Sequence, residues 1–111
     1  ECNVSGEASK AGFPAWQTDQ REALQTEFGA ILALPGVQVQ GLMTIAPIGP
    51  DPEAARPFFR CLRELQAWAG QQWPKATWRE LSMGMTDDFE IAIAEGATLV
   101  RVGRAIFGER T

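Results

Sequence analysis

The run Trp78-Arg79-Glu80-Leu81-Ser82-Met83-Gly84-Met85-Thr86-Asp87-Asp88-Phe89-Glu90-Ile91-Ala92-Ile93-Ala94-Glu95-Gly96-Ala97-Thr98-Leu99-Val100-Arg101-Val102-Gly103 contains a complete strand–helix–strand unit. Trp78 to Met83 reads as a short strand ending in Gly84. Thr86 has a side chain suited to capping the helix that follows, and Asp87 and Asp88 fall in its first turn, where carboxylates complement the helix dipole. Phe89, Ala92 and Ile93 form the inner face of that helix, and Gly96 is a natural stop. Ala97 to Val102 is the next strand, and Gly103 leads into a short helical turn, Arg104 to Phe107.

The same alternation extends upstream. Asp51-Pro52-Glu53 offers a cap, a favoured first-turn proline and an early acid, and Ala55, Phe58, Phe59, Leu62, Leu65 and Ala69 make an apolar stripe. Pro57 interrupts that stripe, so the helix either kinks there or starts later than Pro52. Val37 to Ile45 reads as a strand that is polar at first and then apolar, the pattern of a strand covered on both faces. An earlier helix places Leu24, Phe28, Ile31 and Leu32 on one face, with Asp19 and Glu22 at the spacing of a capping pair and Leu34-Pro35-Gly36 as its stop. Ser5 to Pro14 is loop-like, and Glu1-Cys2-Asn3-Val4 reads as the end of a strand. Strict β, α alternation with short connections predicts an α/β fold with a parallel sheet and right-handed crossovers.

Length and composition agree with this. The 111 residues, 45% of them hydrophobic, suffice for one domain or part of one. A net charge of -4 with no Lys/Arg cluster argues against nucleic acid or a membrane surface as partner, and no apolar run approaches the roughly 18 residues of a spanning helix. Cys2 and Cys61 are too few for a disulfide scaffold and suit a reducing, cytoplasmic setting. Histidine and tyrosine are absent, which removes the commonest general base, the commonest metal ligand and any phenol acid.

In parallel α/β folds the working face lies at the C-terminal ends of the strands. Asn3 to Lys10, Thr44 to Pro47, Ser82 to Thr86 and Gly103 to Ala105 should gather there. Two of these segments suit an anion. Ser82-Met83-Gly84 offers a hydroxyl and a glycine that allows close backbone approach, and Gly103 leads directly into a helix N-terminus. The competing reading is that Gly84 and Gly103 only permit tight turns. Arg101, inside an apolar strand, needs a partner: a ligand, an acid such as Glu80, or solvent. Lys10 reads as a solubilising lysine, and Asp87 and Asp88 are explained by the helix dipole. Trp68, Trp73 and Trp78 read as packing between helix and sheet. Cys2 has no histidine to activate it.

Four blocks carry a family resemblance: Asn3-Val4-Ser5-Gly6-Glu7-Ala8-Ser9-Lys10-Ala11-Gly12, Gly41-Leu42-Met43-Thr44-Ile45-Ala46, Leu81-Ser82-Met83-Gly84-Met85-Thr86-Asp87-Asp88-Phe89, and Val100-Arg101-Val102-Gly103-Arg104-Ala105-Ile106-Phe107-Gly108. In order and over nearly the whole chain, they resemble the pyridoxal-phosphate homeostasis proteins of the YggS/PROSC type, relatives of the barrel domain of alanine racemase. The resemblance implies a (β/α)8 TIM-type barrel. Residues 1–111 would be its C-terminal half, about four β/α units. It further implies binding of pyridoxal 5'-phosphate and a role in vitamin B6 and amino-acid homeostasis, without established catalysis. The cofactor-binding residues it implies are Ser82, Met83, Gly84, Arg101, Gly103 and Arg104, with the phosphate at Ser82 and Gly103-Arg104.

The family's aldehyde-binding lysine lies on the first barrel strand, and neither Lys10 nor Lys75 matches it. Many members carry Thr or Ser where this chain has Arg104. Two alternatives stand beside this reading. One is a fragment of a pyridoxal-phosphate-dependent amino-acid racemase, whose chemistry would need acid/base groups on both faces of the substrate carbanion. The other is a small α/β interaction module without cofactor. Four parallel strands leave open edges and an apolar face, so the expected partner is a second half-barrel copy or the missing N-terminal half.

Overall fold

The structure, a computed structural model, describes residues 1–8 and 10–110. Ser9, within the first of the matching blocks, lies outside the described residues.

Local chemistry sets the helix boundaries. Asp51 Oδ1 accepts a hydrogen bond from the Glu53 amide (3.0 Å), and a 3-10 turn over Pro52–Ala55 leads into helix α2, Arg56–Gln72. Pro57 thus falls in the first turn of α2, where its missing N–H has no intrahelical partner to lose. The late start, rather than a kink, accommodates it. Helix α1, Arg21–Leu32, buries Leu24 and Phe28. Its lead-in differs from the expected Asp19–Glu22 pair. Asp19 is exposed in a 3-10 turn over Thr18–Gln20, and Gln20 Oε1 reaches back to accept from the Trp16 and Gln17 amides (2.8 and 2.9 Å). The longer glutamine satisfies two amides that an aspartate at 19 does not reach.

Strands β3 (Gly41–Met43), β4 (Glu80–Met85) and β5 (Leu99–Arg101) form a parallel sheet in that order. Leu42 pairs with Leu81 and Met43 with Ser82; Ser82 pairs with Leu99 and Met85 with Arg101 across an irregularity in register. The chain is therefore α/β with parallel strands.

The strand expected over 37–45 is shorter, because β4 offers no neighbour before the Glu80 amide bonds the Gln40 carbonyl (2.9 Å). Val37 is left 55% exposed. The first strand, β1 (Cys2–Asn3), does not join this sheet. It pairs in parallel with β2, Phe13–Pro14, a segment expected as loop. The Phe13 amide donates to the Glu1 carbonyl and the Ala15 amide to the Asn3 carbonyl, each at 2.9 Å.

Alternation places Leu42, Leu81 and Met83 on the face packed by α2 and by helix α3, Phe89–Ala94, where Phe59, Leu62 and Ala92 are fully buried. Met43, Ser82, Leu99 and Arg101 share the other face. The expectation of cover on both sides holds for one side only: Leu99 is 51% exposed, and Met43 and Ser82 are half-buried. Phe28, Trp68, Trp73 and Trp78 form an aromatic cluster with ring centroids 5.7–6.1 Å apart.

One polar cluster joins α3 to α2. Glu95, just past α3, is buried, and its carboxylate meets Arg56 at 2.7 Å, Arg63 at 3.2 Å and Arg60 at 3.3 Å. The hydrogen bonds from Arg60 and Arg56 hold its carboxyl below the usual glutamate range.

Candidate functional site

The C-terminal ends of β3, β4 and β5 open into a cleft of about 810 Å³, walled by Ile45 to Gly49, Met85 to Asp88, Gly103-Arg104 and Phe107 to Arg110. Its floor and rim follow from backbone hydrogen bonding. Asp88 Oδ1 accepts from the Met85 amide (2.8 Å) and sits as the N-cap residue of α3. Thr86, expected to cap α3, has a different role. Its hydroxyl oxygen accepts from the Ala105 amide (3.2 Å), in the short helix α4, Arg104–Phe107. The β4–α3 loop and the start of α4 are thereby held together.

The candidate anion-binding residues divide into two groups. Gly103 and Arg104 line the cleft. A Cβ built at Gly103 would meet nothing within 4 Å, so its backbone borders open space. Arg104 is clasped by Asp87 and by Glu109 (2.9 Å to Glu109), both largely exposed. The hydrogen bonds it donates to Glu109 and Asp87 hold its guanidinium more firmly charged than usual. Asp87 thus serves Arg104, whereas sequence reasoning assigned it to the helix dipole.

Ser82, Met83, Gly84 and Arg101 lie on the strands below the cleft. Ser82 is on the open face. Met83 is fully buried on the helix side. Gly84, at φ +103°, packs where a Cβ would come within 2.7 Å of the Ala92 Cβ.

Arg101 extends from β5 to Thr44, where its Nη2 donates to the backbone carbonyl at 2.9 Å. The Glu80 ion pair does not form; Glu80 is taken by Arg79 (3.0 Å) and by the Thr98 hydroxyl (3.0 Å). Arg101 Nε is shut away from solvent and has no acceptor among the described residues. A buried donor left unpaired costs about 1–3 kcal/mol, so this atom marks a place where an acceptor from outside the described residues would be favourable.

Asn3, not singled out from sequence, organises the loop after β1. Its Oδ1 accepts from the Ser5 and Gly6 amides (3.2 and 3.1 Å), and its Nδ2 donates to the Glu7 carbonyl (3.0 Å). An asparagine with Ser-Gly two residues on, Asn3-Val4-Ser5-Gly6, is the legible signal for such a turn. Lys10 is half-buried at the end of this loop. Lys75 is at the other end of the sheet, beside Leu32, Val37 and Trp73. Burial pushes the Cys2 thiol up to about 11, which keeps it protonated and unreactive at neutral pH.

A family model described as the alanine racemase N-terminal domain matches residues 16–111. Among curated proteins, the chain is 48% identical to the pyridoxal phosphate homeostasis protein of Aquifex aeolicus, over 99% of this chain and 45% of that protein. It is 43% identical to the protein of the same name from Vibrio cholerae, over 99% of this chain and 43% of that one. Among solved structures it is similar to PipY of Synechococcus elongatus with pyridoxal phosphate bound (TM-score 0.78, 36% identity, 96% of this chain and 48% of that one) and without it (TM-score 0.82, 36% identity, 96% and 47%). The chain spans a little under half the length of these relatives.

Proposed function

The chain belongs to the alanine racemase N-terminal domain family, and from that premise we propose that it forms about half of a (β/α)8 barrel that binds pyridoxal 5'-phosphate and serves in its homeostasis. The observation that carries the reading is Arg101 on the open face of the sheet, with Nε buried and unpaired. Arg101 would face a ring acceptor. Ser82 and the backbone at Gly103 and Arg104 would hold the phosphate, where Gly103 has space for a ligand to approach.

The residues present fit the group in these respects. They supply a cation, a hydroxyl and open backbone at the strand ends. The acids around the cleft are already engaged, Asp51 and Asp88 by backbone amides and Asp87 and Glu109 by Arg104. A phosphate entering the cleft would therefore compete with Asp87 and Glu109 for Arg104. Bound pyridoxal phosphate supplies an electrophilic aldehyde and an electron-accepting ring. This chain's residues would bind and orient it; Lys75 lies at the opposite end of the sheet, beside Leu32, Val37 and Trp73.

The open face, with Leu99 51% and Met85 41% exposed, is the surface a complementary half-barrel would cover. Absorbance titration of the full-length protein with pyridoxal phosphate, beside an amino-acid racemisation assay, tests the reading. Saturable binding without turnover is expected. Turnover would favour a racemase, and no binding a module without cofactor.

A further inference from the structure

Thr44, just past β3 and 1% exposed, sends each of its three hydrogen-bonding groups to a different strand. Its amide donates to the Ser82 carbonyl on β4 (3.0 Å). Its hydroxyl donates to the Cys2 carbonyl on β1 (2.7 Å). Its carbonyl accepts from Arg101 Nη2 on β5 (2.9 Å). Among the described residues no ladder joins β1 to the three-stranded sheet, so the hydroxyl bond ties together two sheets that backbone pairing leaves separate.

We propose that Thr44 is a positioning residue for Arg101: by tying β3 to β1 it fixes the carbonyl that orients the Arg101 guanidinium. This rests on the pyridoxal-phosphate reading above and deepens it. Arginine has a long, flexible side chain, and an unanchored guanidinium would lose rotamer freedom each time it engaged a ligand. Anchored at Nη2, Arg101 holds its unpaired Nε in one place in advance of binding. The Ser82 carbonyl is bonded to the same residue, so the hydroxyl-bearing strand and the arginine share one reference point. Removing the Thr44 hydroxyl loosens the β1 tie, lets the carbonyl shift, and frees Arg101. The Thr44 amide keeps its bond to the Ser82 carbonyl when the hydroxyl is removed, and Gly103-Arg104 is not among the hydrogen-bond partners of Thr44, so the phosphate end stays in place.

The test is a double-mutant cycle on the full-length protein, with Thr44→Val and Arg101→Gln singly and together, and with pyridoxal phosphate and inorganic phosphate titrated separately. Thr44→Val should weaken pyridoxal phosphate by about three- to tenfold, the value of one lost hydrogen bond. It should leave inorganic phosphate affinity unchanged and have no further effect once Arg101 is glutamine. Thr44→Ser, which keeps the hydroxyl, should restore wild-type binding.

Equal losses for both ligands, or the same loss in both Arg101 backgrounds, would show that Thr44 only stabilises the fold and would overturn the proposal. If Thr44→Val does not fold, arginine side-chain NMR of the wild type decides. The Arg101 Nε–H resonance should exchange slowly with solvent and shift on adding pyridoxal phosphate but not inorganic phosphate; an unmoved resonance overturns the proposal. Wild-type protein that binds no pyridoxal phosphate would overturn the functional reading and this inference with it, whereas normal wild-type binding with an indifferent Thr44→Val would overturn this inference alone.

Discussion

Replacing Gly84 by alanine separates two roles for that residue, close packing of α3 on β4 and close approach of backbone to a ligand. Gly84 has φ +103°, and an added Cβ would lie 2.7 Å from the Ala92 Cβ, 3.0 Å from the Phe89 Cα and 3.3 Å from the Val100 Cγ1. A left-handed backbone costs an L residue about 1–2 kcal/mol. Forcing a methyl into a packed interface adds typically about 1–3 kcal/mol. Gly84→Ala should therefore destabilise by about 2–5 kcal/mol, a large share of the roughly 5–15 kcal/mol that holds a domain folded.

The steric part is separable. Ala92→Gly in the Gly84→Ala background removes the atom that is struck, at a cost of about 1 kcal/mol in helix propensity. The double variant should recover up to about 2 kcal/mol relative to Gly84→Ala. Urea denaturation followed by tryptophan fluorescence measures wild type, Gly84→Ala, Ala92→Gly and the double variant, and pyridoxal-phosphate titration below the transition should show unchanged affinity. Destabilisation of less than about 0.5 kcal/mol, the range of an ordinary surface change, would refute the packing argument. Full stability with lost affinity would assign Gly84 to the ligand.

Three further outcomes follow from the same geometry. Ser82→Ala in the full-length protein should weaken pyridoxal phosphate by about three- to tenfold, and Gly103→Val should weaken it more by filling the open space at the cleft wall; isothermal titration reads both, and unchanged affinity in both variants moves the phosphate elsewhere. Glu95→Gln should lower stability at neutral pH, because three arginines lose their common partner. Since the Glu95 carboxyl is held below its ordinary value of 4.5 in the folded state, its contribution is fully present above that value and lost as pH falls through the depressed one, so the gap between wild type and Glu95→Gln should close in acid; a pH-independent gap in thermal melts would contradict the carboxylate's role. Residues 1–111 expressed alone should self-associate through the open sheet face, and sedimentation showing a well-folded monomer at micromolar concentration would refute that.

Sequence periodicity carried the helices and the parallel alternation because apolar stripes such as Leu62, Leu65 and Ala69 report burial directly. Strand length was less legible. Val37 and Val39 have strand-like chemistry, but whether they pair depends on where β4 begins, and no local signal contains that. Capping was misread at Asp19 and Thr86 for a related reason. Each has a capping side chain, yet Gln20 reaches the free amides near α1, and the Thr86 hydroxyl finds the Ala105 amide, nineteen residues away. At the site, the need of Arg101 for a partner was visible from its apolar strand. That the partner is the Thr44 carbonyl was not, since a backbone acceptor on a strand two places away leaves no mark in side-chain pattern. The Glu95 cluster was equally hidden: Arg56, Arg60 and Arg63 lie on one helix face, but only the docking of α3 brings the acid to them.

We propose that the phosphate of pyridoxal phosphate sits between Ser82 and the Gly103-Arg104 turn with Arg101 at the ring. A structure of the full-length protein with pyridoxal phosphate bound tests it most directly. Phosphate oxygens within hydrogen-bonding distance of Ser82 and of the Gly103 or Arg104 amide, with Arg101 beside the ring, is the expected result. Phosphate bound at a different set of strand ends, with Arg101 still lacking an acceptor at Nε, would overturn both assignments.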